Sequence, residues 1–388
     1  MTPFLAAGDP LLEGNIDFGV FAIVVGKTLF VFAMLLVAVM LMIWFERKII
    51  ADMQNRIGPN RAGPWGILQT LADGIKFFFK EDLIPERSDR LVFKLAPYLS
   101  IVPAFLSFAI VPFGGSIELF GHETRLQLAD PPIGILFLLA MSSIAVYGVM
   151  LAGWASGSKY PLLGSVRASA QMVSYEAALG LSVVTIVLVT GSLYTSDIVA
   201  GQAGNIADWN LIRLGVLPFV LFLIAATAEL NRPPFDLVEA EQELVGGFHT
   251  EYSSIRFALF FLAEFMNTIT MSAVIVTLFL GGPTIPWDVP FFSSVSPVWF
   301  LAKLLVFLFT YVWFRATLPR LRYDQLMDLG WKVLIPLSLG WLLVIAAIQI
   351  DRTHLLWAFP AFLVVPAALL MRSLQLGRET VMEEDLHA

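Results

Sequence analysis

The chain has 388 residues, 58% of them hydrophobic and only 14% charged, with a mean hydropathy of +0.79. Soluble domains carry about 25% charged residues, so lipid is the main solvent of this sequence. A net charge of −7 gives no basic face for nucleic acid, and the absence of cysteine excludes disulfides and Cys-ligated zinc or iron–sulfur clusters in this chain.

Residues 1–17 are acidic and the first cation is Lys27, which does not match a cleaved secretory signal. The stretch is expected to be an external leader, and the first hydrophobic run a retained span. A helix needs about 20 apolar residues to cross the hydrocarbon core. Stretches at 18–45, 96–114, 133–154, 172–190, 211–229, 256–280, 297–316 and 331–350 meet that need, and 355–371 makes a shorter ninth carrying Pro360 and Pro366. Lipid leaves backbone groups no outside partner, which favours helices over open strands. The expected fold is all-α: a polytopic membrane protein of eight transmembrane helices plus a ninth and an amphipathic interfacial helix.

That interfacial helix is predicted over 65–80, where Leu68, Leu71, Ala72, Ile75, Phe78 and Phe79 recur at helical spacing and Asp73, Lys76 and Lys80 lie off the stripe. Packing of the stripe on the protein's own cytoplasmic face would give the same period. The expected organisation is a leader at 1–17, a membrane domain at 18–350 with cytoplasmic loops at 46–95 and 229–255, and an added span with a cytoplasmic tail at 351–388. Lysine and arginine counts orient it. With the N-terminus outside, the cytoplasmic connections receive nine cations in 46–95, then Lys159, Arg167, Arg232, Arg315, Arg320, Arg322, Arg372 and Arg378. The opposite side receives little beyond Arg125, Arg213 and Arg352.

The four histidines, His122, His249, His354 and His387, lie in loops, at a span edge or in the tail, which argues against a buried bis-His haem. Gly153–Lys159 superficially resembles a phosphate loop, but its spacing is wrong and no strand precedes it. The chain is therefore expected to hold no redox cofactor or metal by itself.

Ionisable residues inside spans are expensive and mark function by default. Glu176, Glu229 and Glu264 fall inside the fourth, fifth and sixth spans, and Lys27 and Lys303 towards the outer side of the first and seventh. The lysines are expected to snorkel on their long stems. The glutamates are too short for that, and read as proton-handling groups or members of buried ion pairs. After the fifth span, Pro233 and Pro234 end the helix, and a continuation over 236–243 would place Asp236, Glu239 and Glu243 on one face with Glu241 to the side. Such a cluster resists full ionisation and titrates as coupled sites. The competing reading is a solvated acidic loop. It is weakened by the absence of lysine, the interleaved Phe235, Leu237 and Val238, and the adjoining Glu229.

The first loop contains Glu46-Arg47-Lys48, then Gln54-Asn55-Arg56-Ile57-Gly58-Pro59-Asn60-Arg61-Ala62-Gly63-Pro64. Its glycine and proline density dictates a shaped, turn-rich loop. Its arginines could dock a soluble partner, contact lipid headgroups or orient a polar ligand head.

These two runs, with Leu71-Ala72-Asp73-Gly74-Ile75-Lys76 and Lys80-Glu81, and with Glu229-Leu230-Asn231-Arg232-Pro233-Pro234-Phe235-Asp236 through Glu251-Tyr252, closely resemble the two signatures of the H-subunit family of bacterial respiratory complex I. The resemblance covers roughly residues 15–350, and the ninth segment is a departure from the family's eight spans. It implies a membrane component of a proton-pumping NADH:quinone oxidoreductase in the bacterial inner membrane, with no complete active site of its own. In that family the first span, the amphipathic helix and the sixth span frame an entrance for a lipid-soluble quinone. FMN and iron–sulfur clusters belong to partner subunits, and antiporter-like subunits are neighbours in the membrane.

Carried over by motif, Glu46, Arg47, Arg56, Arg61, Asp73 and Lys76 fall on the quinone side. Glu176, Glu229, Asp236, Glu239, Glu241, Glu243, Glu251 and Glu264 fall on the acidic path. Other readings are a membrane anchor of a complex I-like hydrogenase or other donor:quinone oxidoreductase, and a stand-alone secondary transporter. The transporter reading lacks a second copy of the Arg-Pro-Pro break that repeated halves would show.

Overall fold

The computed structural model describes residues 9, 11, 17–237, 244–285, 296–351, 360 and 362. Helix α1 (Phe18–Met53) starts where the Asp17 carboxylate accepts from the Phe18 amide at 2.7 Å. Its 36 residues reach about 54 Å, well beyond a hydrocarbon core of about 30 Å. Glu46, Arg47 and Lys48 are therefore helical, not part of a loop opening at residue 46. One stripe of α1, through Val31, Leu35, Val39, Met42 and Glu46, is buried, while Leu29, Phe30, Val37 and Leu41 are exposed.

A short 3-10 turn (Pro64–Gly66) leads into α2 (Gln69–Phe79). Thr70 donates to the Met40 carbonyl at 3.2 Å and Trp44 to the Trp65 carbonyl at 3.0 Å, which lays α2 against α1. The predicted apolar stripe, Leu68 to Phe79, is exposed along its length, so among the described residues it does not pack on the protein's own face. An exposed apolar stripe beside membrane-spanning helices is the interfacial arrangement.

Helices α3 (Arg90–Phe108), α4 (Gly134–Ala155) and α5 (Lys159–Thr190) pack side by side. Small residues set their approach: a Cβ at Gly148 would lie 2.8 Å from the Ser100 amide, and one at Gly153 would collide with the Pro161 carbonyl oxygen. Between α3 and α4 the chain forms an antiparallel hairpin, β1 (Ser116–Leu119) and β2 (His122–Arg125), an element that the sequence reading did not anticipate.

The fifth predicted span is not one continuous helix. After α6 (Thr195–Ala200), the chain forms α7 (Asn210–Arg213), breaks at Gly215, and continues as α8 (Val216–Glu229), whose 14 residues reach about 21 Å. There follow α9 (Ser254–Phe279), α10 (Ser296–Thr317), α11 (Tyr323–Asp328), a π-helical turn (Leu329–Leu334) and α12 (Ile335–Ile350). With α11 to α12 taken as one 28-residue helix, seven helices among the described residues are long and apolar enough to cross a membrane, and α8 is a shorter apolar helix. The predicted ninth segment lies almost wholly outside the described residues.

Helix α9 sits at the centre, with 72% of its span buried against 28% for α1. Leu35, Tyr175, Leu179, Phe222, Met266 and Phe279 join one core around it.

Neither intramembrane lysine snorkels. The buried Lys303 ammonium donates to the carbonyls of Leu280 (2.7 Å), Gly282 (2.9 Å) and Thr284 (3.1 Å), at the end of α9. Those carbonyls have no partner within the helix, so an ammonium with three hydrogens matches them. Lys27 pairs with Asp9 at 2.8 Å and donates to Thr124 of the hairpin at 2.8 Å. Burial alone would raise the Asp9 carboxyl, but bonds from Lys27 and Thr124 outweigh it and hold the group below its ordinary range.

Candidate functional site

Helix α8 ends in a compact reversal. The Asn231 amide donates to Ala228 at 3.2 Å and the Arg232 amide to Thr227 at 3.2 Å, and the cis Pro233–Pro234 bond follows. From α5 the Gln171 side-chain amide donates to the carbonyls of Ala228 (2.8 Å) and Phe235 (2.9 Å), bracing both sides of the reversal. The Leu321 amide donates to the Pro234 carbonyl at 3.0 Å, and Arg320 pairs with Asp236 at 2.9 Å. The loop after α8 is thus held between α5 and the segment leaving α10.

This reversal drives Arg232 inward until 3% of it is exposed. Its Nη1 lies 3.2 Å from Glu46 of α1, its Nε lies 3.2 Å from Glu264 of α9, and its guanidinium stacks 4.5 Å from the Phe265 ring centre. Glu46 also pairs with Arg315 of α10. Four charged side chains from four segments therefore form one alternating network, with Glu46 and Arg232 buried, Glu264 half-buried and Arg315 at the exposed end. Glu46 and Glu264, assigned by motif to separate quinone and proton roles, share an arginine.

Glu229 and Glu176 accept hydrogen bonds from the adjacent α4 hydroxyls Ser142 and Ser143. The second Glu229 oxygen is buried and has no hydrogen-bond partner among the described residues. Glu229 also lines a cavity of about 70 Å³ between α3, α4, α5 and α9, together with Asn231, His249, Glu264 and Asn267 among others. A second cavity of about 30 Å³ shares Glu229 and Asn267 and continues to Ser107, Ser142 and Thr270.

The remaining predicted residues divide. Arg47 pairs with Asp73 at 2.8 Å and Lys76 lies 3.9 Å from the same carboxylate, a half-exposed cluster joining α1 to α2. Arg56, which donates to Gln54 at 2.6 Å, and Arg61 are exposed on the loop between them. Glu251 is half-buried in the turn before α9. Glu239, Glu241 and Glu243, and with them the predicted acidic helical face, lie outside the described residues.

Arg232, Arg315, Gln171 and His249 were not among the predicted site residues. The spacing Glu229 to Arg232, one helical turn apart at a proline break, was the only local signal for any of them. Next to His249, Tyr252 stacks on Phe93 at 4.0 Å and donates to its carbonyl at 3.1 Å; burial there raises the phenol above its ordinary range.

A family model described as NADH dehydrogenase matches residues 26–346. The H subunit of NADH-quinone oxidoreductase from Frankia casuarinae is 54% identical over 353 residues, 90% of this chain and 77% of the relative. Its counterpart of the same name from Frankia alni is 52% identical over 383 residues, covering 95% of this chain and 83% of the relative. That from Streptomyces avermitilis is 49% identical over 363 residues, covering 91% and 78%. With these signatures carried on a bundle of membrane-spanning helices, the chain belongs to the NADH dehydrogenase family of NADH-quinone oxidoreductase H subunits.

Proposed function

We propose that this chain is the membrane component of a proton-translocating NADH:quinone oxidoreductase that forms part of the quinone access site and links quinone reduction to proton movement through buried carboxylates. The observation that carries this reading is the Glu46–Arg232–Glu264 network beside the Glu229 cavity. Full burial of charge is costly unless paired, and a network of alternating signs responds as a unit when one member changes protonation. Its α1 and α9 members belong to the helices against which α2 lies, the arrangement expected of an apolar entrance for a quinone tail.

In this reading the chain supplies position and protons, and electrons come from iron–sulfur clusters and FMN on partner subunits. Reduction of a quinone head near α1 and α2 raises local proton demand. The Glu46–Arg232–Glu264 pairing transmits that demand to Glu264, which lines the same cavity as Glu229. Glu229 and Glu176, side by side on the α4 serines, then lead towards neighbouring antiporter-like subunits. Moving a proton against about 100 mV costs about 2.3 kcal/mol, and one unit of pKa change corresponds to about 1.4 kcal/mol, so shifts of one or two units suffice. Ubiquinone and menaquinone both satisfy this scheme.

In this reading the chain lies in the bacterial cell membrane, and the lysine and arginine asymmetry supports an outside N-terminus and a site on the cytoplasmic side. Glu229→Gln in the whole complex tests the reading. Quinone reductase activity and proton pumping should fall together, while NADH oxidation by a water-soluble acceptor persists. Undiminished pumping by that variant would refute the carboxylate path.

A further inference from the structure

One titratable side chain on the larger cavity belongs to neither predicted set. His249 ends a 3-10 turn (Gly247–His249) packed against α4 and α5, and its ring is held edge-on between Phe248 (5.1 Å) and Phe257 (5.3 Å). His249 itself lines a cavity between α3, α4, α5 and α9. That cavity also receives Glu229 from the end of α8 and Glu264 from α9. Its volume of about 70 Å³ has room for several waters, since one needs about 10–15 Å³, and the adjoining 30 Å³ cavity extends the polar space past Glu229.

We propose that His249 is a proton-transfer residue of the carboxylate path, exchanging protons with Glu229 and Glu264 through water in this cavity. Imidazole suits the position because one ring nitrogen accepts a proton while the other releases one, so the ring returns to its starting charge after a tautomer change. The charged groups around it favour a transient role. Burial pushes the imidazole down to about 4 against a smaller opposing pull from Asp236, so at rest it is neutral. The other helices around the cavity line it with the uncharged Ser100, Val149 and Met172, and Glu264 is already matched by Arg232. Loss of a proton from Glu229 would add a negative charge to the cavity, which favours imidazolium and draws the next proton in from the loop side.

The inference rests on the carboxylate path proposed above, and the experiment separates the two. His249→Gln, His249→Ala and Glu229→Gln are made in the complete complex and assayed in proteoliposomes, with water-soluble acceptor activity reporting assembly. His249→Gln should lower quinone reductase turnover and pumping at least about tenfold, in line with the loss of a proton-transfer group. Added imidazole should restore part of the activity in His249→Ala and none in His249→Gln, where the ring space is filled. Full activity of His249→Gln, failure of imidazole to restore the assembled Ala variant, or failure of both variants to assemble would each overturn the assignment. A normal His249→Gln beside an impaired Glu229→Gln rejects the histidine alone, and full pumping by Glu229→Gln rejects the path itself.

Discussion

Arg232 lies between two carboxylates, Glu46 and Glu264, within 3.2 Å of each. Replacing it with methionine keeps the bulk and the contact with Phe265 but removes both ion pairs. Breaking a buried pair costs about 3–5 kcal/mol, so Arg232→Met should cut the yield of assembled complex sharply and lower its thermal inactivation temperature. Lysine should not substitute, because one ammonium cannot present the two separate edges that reach Glu46 and Glu264. Assembly and quinone reductase activity of Arg232→Lys equal to the parent would contradict this account.

His249 supplies the pH dependence. Its folded value of about 4 lies below the ordinary 6.5, so between those values the unfolded segment binds more protons than the folded one. Stability of the 247–252 turn should therefore fall as pH drops from 6.5 towards 4, and His249→Gln should flatten that dependence. Hydrogen exchange of the Tyr252 amide against pH measures it. The sequence exposed Glu229 and Glu264 as buried acids, because a glutamate within an apolar run is conspicuous. It could not show their partners: Glu46 and Arg315 are separated by 269 residues, and only packing brings them together.

At the scale of elements, α2 is stapled at both ends. Ser254 donates to the carbonyls of Phe77 (2.9 Å) and Lys80 (2.8 Å), fixing the exit of α2 to the start of α9, while Thr70 and Arg47 hold it to α1. Ser254→Ala should cost about 1 kcal/mol of local stability and speed amide exchange at the end of α2 with little change in global stability. Unchanged exchange there would show that the staple is incidental.

Hydrophobic runs located nearly every helix, because lipid-facing residues need no polar alternation. They failed where tertiary context dominates. Gly215 breaks the fifth segment, and α8 can be short because α5 and α12 pack along it and it need not span the lipid alone. The π-helical turn, where a Cβ at Gly330 would lie 3.4 Å from the Tyr175 ring and Trp331 donates to Ser174 at 3.1 Å, leaves no period in the sequence to betray it. The hairpin was missed for a related reason: its strands are four residues each, too brief for an alternating pattern to register.

For the whole molecule, the absence of cysteine makes topology directly readable. A single cysteine at Phe120, 92% exposed on the hairpin tip, should react with a membrane-impermeant maleimide added outside. One at the exposed Arg61 should react only in inverted membranes. The reverse labelling pattern would invert the orientation and place the proposed quinone side on the wrong face. In the assembled enzyme, neutralising Glu239 and Glu243 together should stop or uncouple quinone reduction; full, inhibitor-sensitive pumping by that double variant would remove both residues from the path.

The Lys303 cap also constrains how the chain is made. Gln202 donates to the Thr277 carbonyl at 3.0 Å and Asn210 to the Leu278 carbonyl at 2.8 Å, yet the carbonyls of Leu280, Gly282 and Thr284 wait for an ammonium on α10. Synthesis delivers α9 before α10, so the central helix enters the bilayer with its C-terminal end unfinished. Its completion is an event between successive spans, and a nascent chain halted before residue 296 should expose that end to proteolysis from the outer side.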